Sequence, residues 1–274
     1  MRISIDDDLD LNKIAYSGQC FRACRLSDDT FRFITGNHRV DITDESLRNG
    51  KKTEDRTVLD ITCGEDEWER IWHPYFDLDR CYADIRGSIP EDDLYLRRAA
   101  AAGAGIRILR QERFEMLISF IISQRKSIPA IRTSVEKLVN LYGRDGFFPS
   151  AQDMKDATAE ELGLCGIGYR TPYILSAVDR IVHGEIDLDA LDRLDDDELF
   201  DELKSFYGVG DKVANCVALF AYHRTGRAPV DTWIKKVIDE QYGGINPFPS
   251  YGNDAGIMQQ YIFYYAQNVT RGLS

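Results

Sequence analysis

SFYGVGDKVANCVALFAYHRTGRAPVDTWIKK, residues 205–236, holds two helix starts in close succession. A Gly-Val-Gly turn, Gly208, Val209 and Gly210, lies between two apolar helical stretches. Leu203 and Phe206 end the first, and Val213, Val217 and Phe220 line one face of the second. The glycines let the backbone turn tightly and leave its amides uncovered. Unpaired N–H groups and the positive end of the helix dipole together bind a phosphate without reading sequence. Lys212 falls in the first turn of the second helix, where the dipole opposes a positive charge and eases access to the neutral amine, a nucleophile. A solvated surface lysine is the plainer reading of such a residue taken alone. Cys216, at i+4, shares the face of Lys212, and by itself reads as a small buried thiol. Asp231 follows Pro229-Val230 and precedes an amphipathic run with Ile234, Val237 and Ile238 on one face, so it reads as an N-cap. Capping alone, about 1 kcal/mol, would account for it. Beside an amine nucleophile, however, an ionised carboxylate suits a reaction that passes through a cationic sugar.

Upstream, TAEELGLCGIGYRTPYILSAVDRIVHG repeats the scheme of helix, glycine turn and helix. RFEMLISFIISQ and SIPAIRTSVEKLVNLYG read as two more helices, the second with Ser127 near its N-cap and Gly143 at its end. Two further helices are expected from DTWIKKVIDEQYG and DAGIMQQYIFYYAQNV. The first hundred residues instead alternate in short runs (Phe31, Phe33; Val40, Ile42) broken by Asp-Asp and Gly-Asn turns. An α+β chain follows, with a strand-bearing part over 1–95 and an all-helical part over 96–274.

The 274 residues carry a net charge of −12, which alone argues against nucleic acid. The charge is uneven: residues 97–142 hold 9 basic and 3 acidic groups, net +6. Local field counts for more than the total when a strand docks on one face, although a solvated basic helix pair explains the excess equally well. No two of the six cysteines form a C-x-x-C pair, no zinc-finger spacing occurs, and free thiols are expected. No segment approaches the roughly 20 apolar residues of a membrane span. MRISIDDDLDLNK lacks the apolar centre of a secretion signal, so a cytoplasmic protein is expected.

The turn with its lysine and the later aspartate resemble the helix–hairpin–helix superfamily of base-excision DNA glycosylases, and the lysine places the chain with the bifunctional members. The resemblance to the 8-oxoguanine DNA glycosylase family spans most of the chain. It rests on SGQCFRA at 17–23, YFDLD at 75–79, GIRILRQERFEMLISFIISQ at 105–124, GLCGIGYR at 163–170 and APVD at 228–231, in family order. It implies an antiparallel sheet domain against a two-lobed helical domain with the active site in the cleft between helical lobes. It further implies that Lys212 attacks C1′ of the damaged nucleotide, expels the base and forms a Schiff base that permits β-elimination, while Asp231 supports the cationic transition state. The base would be flipped out, since its reacting bond is inaccessible in the stack. The carbonyl of Gly18 would accept the N7 proton that distinguishes 8-oxoguanine from guanine. Cys216 and Phe263 would enclose the base, and Gln259, with Gln260 as a near alternative, would read its Watson–Crick edge. Gln259 and Phe263 are i and i+4, so one helix face can carry both, although plain core packing also fits that helix. Tyr169 and Arg170 match residues that fill the gap and contact the orphaned base. The Gly208–Gly210 hairpin would meet phosphate, with a structural cation on its carbonyls. Neither a catalytic metal nor a redox or organic cofactor is implied. Duplex DNA is the expected partner, nucleoid-associated in the cytoplasm, and a monomer the expected state.

The chain departs from the eukaryotic pattern. Arg125-Lys126-Ser127 replaces Asn-Asn-Asn, Ala130 replaces an arginine, and Trp233 replaces a phosphate-binding histidine. Arg125 would contact base or phosphate, and strict choice of cytosine opposite the lesion is expected to be relaxed. Such departures resemble a bacterial or archaeal branch. Two other readings stand beside this one. A glycosylase for alkylated bases shares the fold but lacks the hairpin lysine. A non-catalytic DNA-binding module would need neither Asp231 nor the Gly18 block.

Overall fold

The structure, a computed structural model, describes residues 1–49 and 56–268. The strands are β1 (Arg2–Ile5), β2 (Cys24–Arg25), β3 (Thr30–Thr35), β4 (His38–Asp44) and β5 (Thr57–Ile61). Around them lie α1 (Leu11–Tyr16), α2 (Glu45–Asn49), α3 (Glu65–Glu67), α4 (His73–Tyr75), α5 (Tyr82–Gly87) and α6 (Leu94–Gly103). The remaining helices are α7 (Arg113–Ser123), α8 (Ile128–Tyr142), α9 (Ala159–Leu164), α10 (Thr171–Val182), α11 (Asp196–Lys204), α12 (Asp211–Phe220), α13 (Thr232–Gln241) and α14 (Ala255–Asn268). Val269, read as the end of the last helix, lies outside the described residues. The α+β class expected from the sequence is the class observed.

Compactness groups the chain into two units, one of residues 1–33, 39–110 and 225–274, the other of 34–38 and 111–224. The 95/96 boundary expected from the sequence falls within α6, downstream of the last strand, which ends at Ile61. The compact units follow a different rule, because α13 and α14 return to the strand-bearing part.

In the first unit the sheet runs β1-β5-β4-β3-β2, and the strand pairs β1–β5, β4–β5 and β2–β3 are antiparallel. Side chains alternate across a strand, so Phe31, Phe33, Val40, Ile42, Leu59 and Ile61 gather on one face and are buried. They pack with Leu11 and Ile14 of α1 and with an aromatic cluster, Trp68, Trp72, Tyr75 and Phe76. Phe33 meets Phe76 edge-on at 5.0 Å, and Trp72 meets Tyr75 at 5.3 Å. Such pairs add about 0.5–1.5 kcal/mol each beyond the area they bury.

Arg107 lies in the same unit with no exposed surface. Its guanidinium donates to the carboxylate of Asp7 at 2.9 Å and to the carbonyls of Asp8, Phe76, Asp77 and Arg80 at 2.6–2.9 Å. A buried charge is tolerable when it is paired and hydrogen-bonded. Here one cation ties the start of the chain to the YFDLD block.

The second unit is helical apart from residues 34–38. Its α7 is mostly apolar and is buried nearly all round. Helices α8, α10 and α12 pack against α7, and α11 packs on α12. Phe120 of α7 and Phe220 of α12 stack at 5.6 Å, which fixes the seam on which Lys212 lies.

Candidate active site

The hairpin between α11 and α12 forms as its sequence predicts. Gly208 takes φ +80, a conformation that L side chains rarely adopt, and a Cβ there would lie 2.4 Å from the Tyr173 ring. Val209 is buried, and its N–H donates to the Phe206 carbonyl at 3.0 Å. Lys204 Nζ pairs with Asp211 at 2.7 Å and closes the hairpin across its base. Gly210 is the N-cap of α12 and offers no side chain to the first amides of the helix.

Lys212, half-buried in the first turn of α12, donates from Nζ to Ser123 Oγ at 3.3 Å and lies 5.0 Å from the centre of the Phe120 ring. Ser123 Oγ in turn donates to the Phe120 carbonyl at 2.7 Å. The amine is therefore held by α7 and is not waving in solvent, unlike the plain surface lysine that its position alone would suggest. Cys216 follows on the same helix and is buried.

A second glycine turn in this unit precedes Tyr169 and Arg170. Tyr169 is half exposed, whereas Arg170 is only 5% exposed. Arg170 Nη1 donates to the Ile167 carbonyl at 3.0 Å, and its guanidinium lies 4.2 Å from the Tyr169 ring centre. In this structure Arg170 braces the turn from within, and Tyr169 is the side chain presented outward. Arg125 is exposed, at a backbone φ of +53.

The first unit holds the other expected residues. Asp231 is the N-cap of α13, and its carboxylate accepts the Ile234 N–H at 2.9 Å. Gly18 sits half-buried at φ +82 between two fixed neighbours. Ser17 Oγ donates to the Ile14 carbonyl at 2.8 Å. Gln19 Nε2 donates to Ser17 Oγ and to the Arg107 carbonyl, both at 2.9 Å, and Gln19 Oε1 accepts from Leu109 N–H. The adjacent glutamines of α14 differ. Gln260 Nε2 donates to the Ser17 carbonyl at 2.6 Å, which ties α14 to the Gly18 loop. Gln259 is just as buried, yet its Oε1 has no hydrogen-bond partner among the described residues. A buried, unpaired carbonyl costs about 1–3 kcal/mol unless something occupies it. Phe263, one turn on, is partly exposed.

Nothing local in the sequence points to the main partners of Ser123, Gln124, Lys126, Gln19 and Arg107, which lie far along the chain. Ser123 and Lys212 are 89 residues apart, a spacing that carries no signal. Among the described residues, no three His, Cys, Asp or Glu side chains gather as metal ligands would, and no helix is long and apolar enough to cross a membrane.

Comparisons with known proteins bear on the family to which the chain belongs. Residues 2–117 match the family model of the 8-oxoguanine DNA glycosylase N-terminal domain, and residues 118–252 match that of the HhH-GPD superfamily base excision DNA repair proteins. A probable N-glycosylase/DNA lyase of Methanothermobacter thermautotrophicus is 28% identical over 236 residues, 73% of each chain. An N-glycosylase/DNA lyase of Arabidopsis thaliana is 33% identical over 81% of this chain, which spans 63% of that protein's length. The crystal structure of Clostridium acetobutylicum 8-oxoguanine glycosylase/lyase, in complex with duplex DNA containing cytosine opposite 8-oxoguanine, is similar over 98% of both chains. Its identity is 32% and its TM-score 0.86.

Proposed function

The chain belongs to the 8-oxoguanine DNA glycosylase family of the HhH-GPD superfamily, and from that membership we infer that it is a bifunctional N-glycosylase/DNA lyase whose nucleophile is Lys212. The observation that supports this assignment most directly is the Lys212 amine, held half-buried on Ser123 and Phe120 at the end of the glycine hairpin. Duplex DNA containing 8-oxoguanine is the substrate. The damaged nucleotide is extruded, because its glycosidic bond cannot be reached in the stack. Lys212 Nζ attacks C1′, the bond from C1′ to the base breaks, and the base leaves with its bonding electrons and takes up a proton. The sugar ring then opens to a Schiff base, and loss of a C2′ proton expels the 3′ phosphate by β-elimination. Water hydrolyses the imine and frees the lysine. Asp231, whose carboxylate is oriented by the Ile234 amide, favours the oxocarbenium-like state.

On this reading Gly18 offers its carbonyl to the N7 proton. Gln259, rather than the engaged Gln260, reads the base edge with its unpaired Oε1, and Cys216 and Phe263 enclose the ring. The Gly208–Gly210 hairpin and Arg125 meet the strand backbone, and Tyr169, braced by Arg170, fills the gap left by extrusion. Arg125 and Ala130 in place of the family's asparagine and arginine carry the reading that opposite-base choice is broader than strict cytosine. An amine, a carboxylate and water suffice for the reaction without a redox or organic cofactor. A structural cation on the hairpin would have to share the Gly208 carbonyl with Gln124 Nε2, which donates to it at 3.2 Å. The chain is read as acting as a monomer on chromosomal DNA in the cytoplasm.

Borohydride reduction during reaction with an 8-oxoguanine duplex tests the assignment. Wild-type protein is expected to be trapped covalently, and Lys212→Gln to bind the duplex without being trapped. Efficient trapping of Lys212→Gln removes Lys212 from the nucleophile's role.

A further inference from the structure

Ser123, the last residue of α7, and residues 124–127, which join it to α8, reach three separate parts of the second unit. Ser123 Oγ accepts from the Lys212 amine. Gln124 Nε2 donates to the carbonyl of Gly208 in one glycine turn. Lys126 Nζ donates at 2.6 Å to the carbonyl of Gly166 in the other, and at 2.6 Å to Ser134 Oγ on α8. Arg125 stands between them, exposed at φ +53, so the connector turns its side chains both inward and outward.

The Gly166–Gly168 turn is tied from both sides. Both glycines lie at positive φ; Gly166 N–H donates to the Gly163 carbonyl at 2.9 Å, and the Gly168 carbonyl accepts from Thr171 Oγ1 at 2.9 Å. Two cations take the other carbonyls: Lys126 takes that of Gly166, and Arg170 takes that of Ile167. Burial, with Arg170 and Lys137 nearby, pulls the Lys126 ammonium below its usual range, which fits a confined cation rather than a solvated one. The residue that follows this turn is Tyr169.

We propose that Lys126 is a positioning residue: by fixing the Gly166 carbonyl it sets the turn that presents Tyr169, and so serves base extrusion rather than the attack of Lys212. This rests on the function proposed above. Excision of 8-oxoguanine requires a base to be displaced and the gap filled. Reaction at a pre-formed abasic site requires the amine but displaces no base. Loss of Lys126 therefore separates two reactions that share one nucleophile.

The test compares wild type, Lys126→Met and Lys126→Arg at saturating enzyme. One reaction is single-turnover excision from an 8-oxoguanine duplex. The other is borohydride trapping on a duplex carrying an abasic site. Lys126→Met is expected to lose about 10²-fold in excision, the size of effect that a small misplacement causes, while its trapping at the abasic site stays at the wild-type level. Lys126→Arg, which keeps a cationic donor, is expected to recover most of the excision. If Lys126→Met does not fold, Ser134→Ala frees one of the two bonds of Nζ and is expected to show the same split at smaller size. No loss of excision, or a parallel loss of both reactions at unchanged melting temperature, overturns the proposal. A wild-type chain that leaves 8-oxoguanine in place sinks the underlying reading, and this inference with it.

Discussion

On the function proposed here Asp231 has two jobs, and one substitution can part them. As an N-cap it accepts the Ile234 amide, and as a carboxylate it supplies charge. Asparagine caps a helix about as well as aspartate but carries no charge. Asp231→Asn is therefore expected to leave the melting temperature nearly unchanged and to slow excision by about 10²–10³-fold, the range seen when one electrostatic stabiliser is removed. Calorimetry alongside single-turnover kinetics checks this, and a fall in stability with little change in rate would assign Asp231 to capping alone. The capping role was legible in the sequence, because Pro-Val-Asp before an amphipathic run is a local signal. The difference between Gln259 and Gln260 was not. It depends on the Ser17 carbonyl, 243 residues from Gln260, which engages that side chain, while Gln259 Oε1 has no hydrogen-bond partner among the described residues.

The glycine hairpin offers a contrast between two positions that look alike in the sequence. Gly208 has φ +80 with the Tyr173 ring against its Cα, while Gly210 has φ −103 and open space where a Cβ would go. Gly208→Ala is expected to destabilise the protein by about 2–4 kcal/mol, from left-handed strain plus overpacking. Gly210→Ala is expected to stay within about 0.5 kcal/mol of wild type. Urea denaturation followed by circular dichroism measures both, and equal losses would show that the hairpin does not depend on the Gly208 conformation. Glycine turns flanked by apolar helices are readable because their signal lies within a few residues. The contacts made at the α7–α8 connection by Ser123, Gln124 and Lys126 are not readable in the same way, because the partners lie 89, 84 and 40 residues away. The same holds for Arg107: its guanidinium spans 100 residues to reach Asp7.

A chain of net charge −12 that binds DNA must use its cations sparingly. The basic excess over residues 97–142 does not translate into a matching face, because internal partners take Arg107, Arg113 and Lys126. Backbone amides at the hairpin release no counterions of their own in the way that lysine and arginine do. Affinity for an 8-oxoguanine duplex is thus expected to fall gently with salt, with a log–log slope of about −2 to −4, corresponding to two to four neutralised phosphates. Fluorescence anisotropy across a salt series gives the slope directly, and a value near −8 would mean a broad cationic surface instead.

The grouping of residues 225–268 with residues 1–33 and 39–110 bears on how the molecule comes into being. Synthesis proceeds from the N-terminus, and domains generally fold as units once their residues have emerged. The helices that hold Lys212 are all translated before α13 and α14, which carry Asp231, Gln259 and Phe263. A nascent chain therefore passes through an interval in which the helices around Lys212 have been made while Asp231, Gln259 and Phe263 have not, so the site proposed here can be complete only after α14 has emerged.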